Sequence, residues 1–254
     1  MKLAACYSAF NSGELLEGSI MQIYEHVDAV VICYQINSNV GNRISLNDLR
    51  LVTDLKKLSK VHVIEFIPNL KLNPKENERK KLQMRIDYCK KIGCSHYIGM
   101  APDHYFITED FESAKEICKI RNVDITFTKM FTYYKKPTFQ LTPIEDYLAP
   151  FICRIYDNTK VISKNNYSVR VDPSVRIEPA NSFHTFDAKT IMLHHFSMVR
   201  DDIESKFINA AAAQNWKQKI PGFIHEYNNI KVGDSVSYFK GRKIIEVENY
   251  FNIK

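Results

Sequence analysis

The apolar positions of this chain fall into short dense runs separated by amphipathic stretches. Residues 2–6 predict a strand, and Asn11-Ser12-Gly13-Glu14 then offers a helix start, with Leu15, Leu16, Ile20 and Ile23 at helical spacing behind it. Residues 28–34, "DAVVICY", form a β-branched run suited to a strand buried on both faces of a parallel sheet. A polar loop, 35–42, leads to a helical pattern over 45–58 with Leu46, Leu49, Val52 and Leu55 on one side. A third strand is expected over 61–67. A loop containing Pro68 and Pro74 precedes a highly charged helix over 75–92, a fourth strand over 96–100 and a helix over 109–120. Strand and helix thus alternate four times, which predicts a doubly wound α/β sheet whose ligands sit beyond the carboxyl ends of its strands.

After residue 123 the pattern changes. Residues 124–135, "DITFTKMFTYYK", favour strands, and short segments follow at 151–156, 169–171 and 190–195. Asp201 or Asp202 caps a helix expected through "IESKFINAAAAQNW", and "VGDSVSYFKGRK" reads as a turn and a strand. No linker stands out. The reading is one domain over 1–254, with an α/β half (1–122) and an elaborated α+β half (123–254).

The 254 residues can bury a substantial core, and the net charge of +6 permits an anionic partner without requiring one. No apolar run approaches the ~18 residues of a membrane span. The N-terminus turns polar too soon for a signal peptide, so the expected location is cytoplasmic. Six cysteines without a CxxC pair read as reduced core residues. Walker, GxGxxG, GxSxG and HExxH patterns are all missing, which argues against P-loop, dinucleotide-binding, α/β-hydrolase and zincin classes.

Candidate chemistry gathers at "CSHYIGMAPDHYF" (94–106), where an apolar strand stops at Pro102-Asp103-His104 on the edge that such sheets use for ligands. Together with "YSAFNSGELLEGSI", "VDAVVICYQINSN" and "MLHHFSMVRDDIESK", this stretch resembles the GT-A fold of family-2-like glycosyltransferases, including virus- and phage-encoded members. The resemblance covers roughly the first half and residues 190–216. It implies a sheet that is GT-A-like, mostly parallel and flanked by helices. It also implies a nucleotide-sugar donor and a divalent metal, Mn²⁺ or Mg²⁺. The acceptor would be hydroxyl-bearing, with a glycan the default and a modified DNA base the second option. A virus-encoded member would work in the host cytoplasm. Three departures stand out, the first being that Gln35 and Asn37 stand where the family's second strand delivers an acidic residue. Ala101 replaces the first aspartate of the Asp-x-Asp motif, and His104 replaces the glutamate after the second. They support a rival reading, a glycosyltransferase-like protein that binds a nucleotide, a sugar or a partner without turnover.

Carried over residue by residue, the resemblance makes Asp103 the first metal ligand, with His104 and one of His194 and His195 beside it. Adjacent residues of an extended segment face opposite ways, which favours His195. Pro-Asp is also common turn chemistry, and a buried hydrogen-bonded imidazole is the alternative for the histidine pair. Tyr7, Ser8 and Asn11 would clasp the base and ribose, with Tyr7 stacking, and Gln35 and Asn37 would bond a base edge. On the charged helix the apolar seam is Leu82, Ile86 and Cys89. Arg79 and Arg85 lie about 60° either side of it at ~100° per residue, and one of them would reach the nucleotide. Lys80, Lys81 and Lys90 read as a solvated basic face. Arg200 and Lys206 would hold the diphosphate, although the i,i+4 spacing favours an ion pair of Lys206 with Asp202. Glu145, Asp146 and Glu178 are the candidate bases for an acceptor hydroxyl, with a surface carboxylate as the alternative for each.

Overall fold

The structure is a computed structural model, and it describes residues 1–163, 167, 169–210 and 217–253. Its first half alternates strand and helix: β1 (Leu3–Ala9), α1 (Gly13–Ile23), β2 (Ala29–Tyr34), α2 (Leu46–Leu55), β3 (Val61–Glu65), α3 (Pro74–Lys91), β4 (His96–Met100), a two-residue β5 (His104–Tyr105) and α4 (Thr108–Arg121). The second half holds β6 (Ile125–Tyr134), β7 (Lys136–Thr142), β8 (Ala149–Arg154), β9 (Lys160–Val161), β10 (Ile177–Glu178), β11 (Phe183–Thr185), β12 (Met192–Met198), α5 (Ile203–Asn209), α6 (Ile220–Asn229) and β13 (Lys243–Glu246).

The main sheet runs β13-β7-β6-β8-β4-β1-β2-β3. β3, β2, β1 and β4 pair in parallel, so the expected α/β half is present. From β8 outward the path turns antiparallel, while β11 and β12 add parallel pairings to β6. This is the α+β elaboration.

Strand alternation decides which side chains meet which helices. Leu3, Ala5 and Tyr7 of β1, with Val30 and Ile32 of β2, pack in one core with Leu16 of α1, Val52 of α2 and Phe111 of α4. Ala4 and Cys6, with Ala29 and Val31, pack in a second core against Leu82, Ile86 and Cys89 of α3. Every β1 position from Leu3 to Tyr7 is at most 1% exposed, as a sheet covered on both faces requires. All six cysteines are buried free thiols.

Several sequence expectations need correction. Leu46 does not join the apolar side of α2; it stands 69% exposed at the first residue of the helix, before that face turns inward. Residues 169–171 form no strand, and Val171 makes only an isolated bridge to Leu148. β5, β9, β10 and β11 were not anticipated, because strands of two or three residues carry almost no periodicity; the seven-residue β7 was not anticipated either. In the tail the strand begins at Lys243, the last residue of the expected stretch. The late helix spans Ile203–Asn209, and residues 211–216 of the expected helix lie outside the described residues.

Ser45 caps α2: its Oγ accepts from the Asp48 amide at 3.0 Å and donates to the Asp48 carboxylate at 2.7 Å. Ser45→Ala is expected to lower stability by about 1 kcal/mol, read from the urea midpoint. His96, at the start of β4, is pushed down to about 4 by burial, then by Arg154 and the N-terminal amine. The unfolded chain therefore takes up this proton first. His96 contributes stability above its unfolded value of ~6.5 that is lost as pH falls toward about 4. Urea midpoints should decline over that window, and His96→Gln should flatten part of the decline.

Candidate functional site

The loop after β4 brings the chemistry together. Beyond Met100 the chain makes a turn in which the His104 amide donates to the Ala101 carbonyl at 3.0 Å. The chain then pairs β5 with β12 in antiparallel register, His104 opposite His195 and Tyr105 opposite His194. Directly opposed residues project to the same side of a sheet. His104 and His195 therefore share one face, their ring centroids 5.1 Å apart. Tyr105 and His194 share the other. There His194 meets the Tyr133 hydroxyl at 2.8 Å through Nδ1 and packs on Phe131 and Phe251. Of the histidine pair, then, His195 faces Asp103 and His194 is a buried core imidazole, turned away from any ligand there.

Asp103 is 2% exposed. Its Oδ2 accepts from Arg200 at 2.6 Å and from Lys206 at 3.3 Å. Its Oδ1 is buried without a hydrogen-bond partner and faces His195 Nε2 at 3.7 Å and His104 Nε2 at 3.9 Å. Burial alone would raise the carboxyl; Lys206 and Arg200 outweigh it and hold Asp103 well below the usual range. Burial and the neighbouring His195 push His104 down to about 3, with Asp103 pulling the other way. His195 is lowered mainly by burial. The cluster is thus one fixed carboxylate facing two neutral imidazoles. Asp103, His104 and His195 can bring one ligand atom each within 4.8 Å of one another. The orphaned Oδ1 is an acceptor that no protein group satisfies, and neutral imidazole is the form that ligates metals. The residues present therefore fit a divalent cation.

Arg200 also reaches Glu14 at 3.1 Å, so a buried guanidinium bridges two carboxylates. Lys206 does not take the Asp202 partner its spacing favoured. Asp202 instead caps α5 by accepting from the Ser205 amide at 2.9 Å, and Lys206 turns inward to Asp103. Burial lowers Lys206, Asp103 pulls it back up, and Arg200 adds to the lowering.

Two cavities meet at this cluster. The first, of about 340 Å³, lies over the carboxyl ends of β1, β2 and β4, with Ser8, Asn11, Gln35 and Asn39 among its walls. The second, of about 620 Å³, opens toward β6, β12 and the 145–150 loop. Ser8, Glu78, Ala101, His195 and Lys206 line both.

The remaining candidates scatter. Tyr7 cannot stack on a base: it is fully buried within β1, and its hydroxyl donates to the Ser19 carbonyl at 3.0 Å. Asn11 lines the first cavity and braces it, its Oδ1 accepting from the Ser45 amide at 2.8 Å. Gln35 is buried at the cavity wall, donating to Asn39 and accepting from Lys81 at 2.6 Å. Asn37 is exposed and outside the lining, because the chain turns away toward an isolated bridge with Arg43. Arg79 is held by Glu76 one turn earlier on α3 and lines neither cavity. Arg85 lines the second cavity and donates to the Cys6 carbonyl at 2.7 Å. Glu145 lines the second cavity, accepting from Thr132 Oγ1 at 2.6 Å. Asp146 is 82% exposed beside Arg170, and Glu178 is an exposed strand residue opposite Lys160; neither faces a cavity.

The sequence reading missed Glu14, Asn39, Glu78 and Lys81. Lys81 is no part of a solvated face: it is 4% exposed and pairs with Glu78 at 2.9 Å. Its i,i+4 relation to Arg85, and Arg85's to Cys89, was the available signal, since all three share one stripe of α3.

No family model matches the chain, and no curated protein matches it in sequence. Among solved structures it is similar to S. aureus TarS 1–349, at 13% identity and a TM-score of 0.49 over 87% of this chain and 69% of that one. The same protein in complex with UDP-GlcNAc is similar at 14% identity and a TM-score of 0.49, over 87% and 70%. The mannosyltransferase PcManGT from Pyrobaculum calidifontis, in complex with GDP-Man and Mn²⁺, is similar at 10% identity and a TM-score of 0.35, over 54% and 36%. No helix among the described residues is long and apolar enough to cross a membrane.

Proposed function

We propose that this chain is a GT-A-like glycosyltransferase that moves a sugar from a nucleotide-sugar donor to a hydroxyl-bearing acceptor with the help of a divalent cation, Mn²⁺ or Mg²⁺. One observation carries the reading. Asp103 is a buried carboxylate beyond the carboxyl end of a parallel strand, its open oxygen aimed at two neutral imidazoles and its other oxygen gripped by two cations. A nucleoside diphosphate leaving group needs this combination of charges.

In this reading the first half is the donor side and residues from 123 onward form the acceptor side. Ser8, Gln35 and Asn39 offer hydroxyl and amide groups for the base and ribose. Lys206, about a third exposed, can swing from Asp103 to a phosphate oxygen. Arg200, 3% exposed and shared with Glu14, is a positioning residue that holds the Asp103 carboxylate in its orientation. A bound cation held by Asp103, His104 and His195 would neutralise the charge that builds on the diphosphate. Glu145 is placed to take a proton from an acceptor in the second cavity.

A second reading, binding without turnover, is favoured by one feature. Ala101 stands where a second carboxylate would be, so one Asp103 oxygen serves the site while the other is neutralised internally. Calorimetric titration with UDP, GDP, CDP and their sugars, with Mn²⁺ and again with EDTA, tests both. Binding of one nucleotide that requires metal, with slow hydrolysis or transfer of its sugar, supports the enzyme. Metal-independent binding without turnover supports the second reading. No binding to any nucleotide or nucleotide sugar rejects the enzyme and leaves the second reading only a partner to bind.

A further inference from the structure

Arg85 is a buried charge to which the transferase reading gives no role. It is 6% exposed and lines the second cavity but not the first. The other charged side chains of that lining have protein partners among the described residues. Glu78, nearer the start of α3, is taken by Lys81 at 2.9 Å, and Lys206 faces Asp103. Glu145 accepts from Thr132, and Asp172 from the Ser174 amide at 2.7 Å. Arg85 has no carboxylate. Its Nη1 donates to the Cys6 carbonyl at 2.7 Å, its Nε is buried without a partner, and its Nη2 bonds to no described residue. A buried charge without a counter-charge is costly, and a guanidinium cannot escape that cost by losing its proton. The unspent Nε and Nη2 hydrogens point the same way. That edge is the fork that matches two oxygens of a carboxylate or a phosphate.

We infer that the acceptor carries an oxyanion, a phosphate or a carboxylate, and that Arg85 seats this group in the second cavity while the receiving hydroxyl lies toward Glu145. The inference rests on the transferase reading above and names its acceptor class. The donor's diphosphate is the other oxyanion in that reading. Its place is beside Lys206 and the Asp103 cluster in the first cavity, whose walls do not include Arg85. At about 620 Å³ the second cavity has room for a sugar or polyol that bears one such group.

The test needs no turnover. Calorimetry without metal compares glucose 6-phosphate and glucuronate with glucose, which shares the ring and lacks the anion. At least one anion should bind roughly tenfold or more tightly than glucose, which is what hydrogen bonds to a charged group are worth, and the tighter of the two names the oxyanion. Arg85→Gln should bring that affinity down to the level of glucose. Arg79→Gln, a change on the same helix but outside both cavities, should leave it as it is. Should Arg85→Gln fail to fold, Arg85→Lys, which keeps the charge and loses the fork, should weaken anion binding several-fold. The titration is then repeated with saturating UDP, GDP or CDP, whichever binds. Anion binding that persists beside the nucleotide places the oxyanion on the acceptor. Displacement of the anion by the nucleotide would assign Arg85 to the donor's diphosphate and overturn the inference. Glucose binding as well as the anions, anions not binding, or anion binding indifferent to Arg85 would each overturn it too. Where no nucleotide binds, anion binding that depends on Arg85 would reject the transferase reading and leave the oxyanion subsite in place.

Discussion

Asp103→Asn is expected to reduce metal-dependent nucleotide affinity roughly a hundredfold, the upper end of what loss of a supporting group around a metal costs. The amide keeps the shape of the carboxylate but not its charge. The open Oδ1 becomes a weak ligand beside His104 and His195, and Arg200 and Lys206 lose the anion between them. Lys206→Met separates the two consequences. It keeps Asp103 charged and removes a cation 3.3 Å from it, so Mn²⁺ alone should bind more tightly than to the wild type. The same change should weaken nucleoside diphosphate binding, because the movable phosphate partner is gone. Calorimetry with metal alone, nucleotide alone and both reads each effect. Equal affinities in Asp103→Asn and wild type would reject the site.

Arg200→Met is expected to cost about 3–5 kcal/mol of folding stability, because it leaves a buried carboxylate with only the partly exposed Lys206 beside it and strips Glu14 of its partner. Arg200 also donates to the Ser197 carbonyl at 3.3 Å, a bond the thioether cannot replace. The double variant Arg200→Met with Asp103→Leu should be markedly more stable than the sum of the single changes predicts, since it removes the stranded charge. Urea unfolding of the four proteins measures the coupling. A single-variant loss below ~1 kcal/mol would show that the pair is better solvated than its geometry indicates.

Much of the first half was legible because its signals are local. β4 begins and ends where the apolar run does, and the seam of α3 is buried at Leu82, Ile86 and Cys89 as its spacing implies. Asp103 and His195 were legible as candidates because a carboxylate at a strand's carboxyl edge and a late histidine pair are unusual in a core. Tyr7 and Arg79 were misplaced for opposite reasons. β1 runs three residues further than its apolar run suggests, which carries Tyr7 into the core. Arg79 finds its ion-pair partner within its own helix.

Periodicity and residue type alone determined the alternating α/β half, the strand edge that bears Asp103 and the reduced, buried cysteines, because each depends on neighbours within a few positions. Only the tertiary structure decided that His104 stands opposite His195, that Lys206 forsakes Asp202 for Asp103, and that Arg200 bridges Glu14 to the site across 186 positions. Those outcomes turn on the register of a two-residue strand and on charges competing for one buried carboxylate. Both are settled by contacts distant in sequence, which leave no periodic trace along the chain.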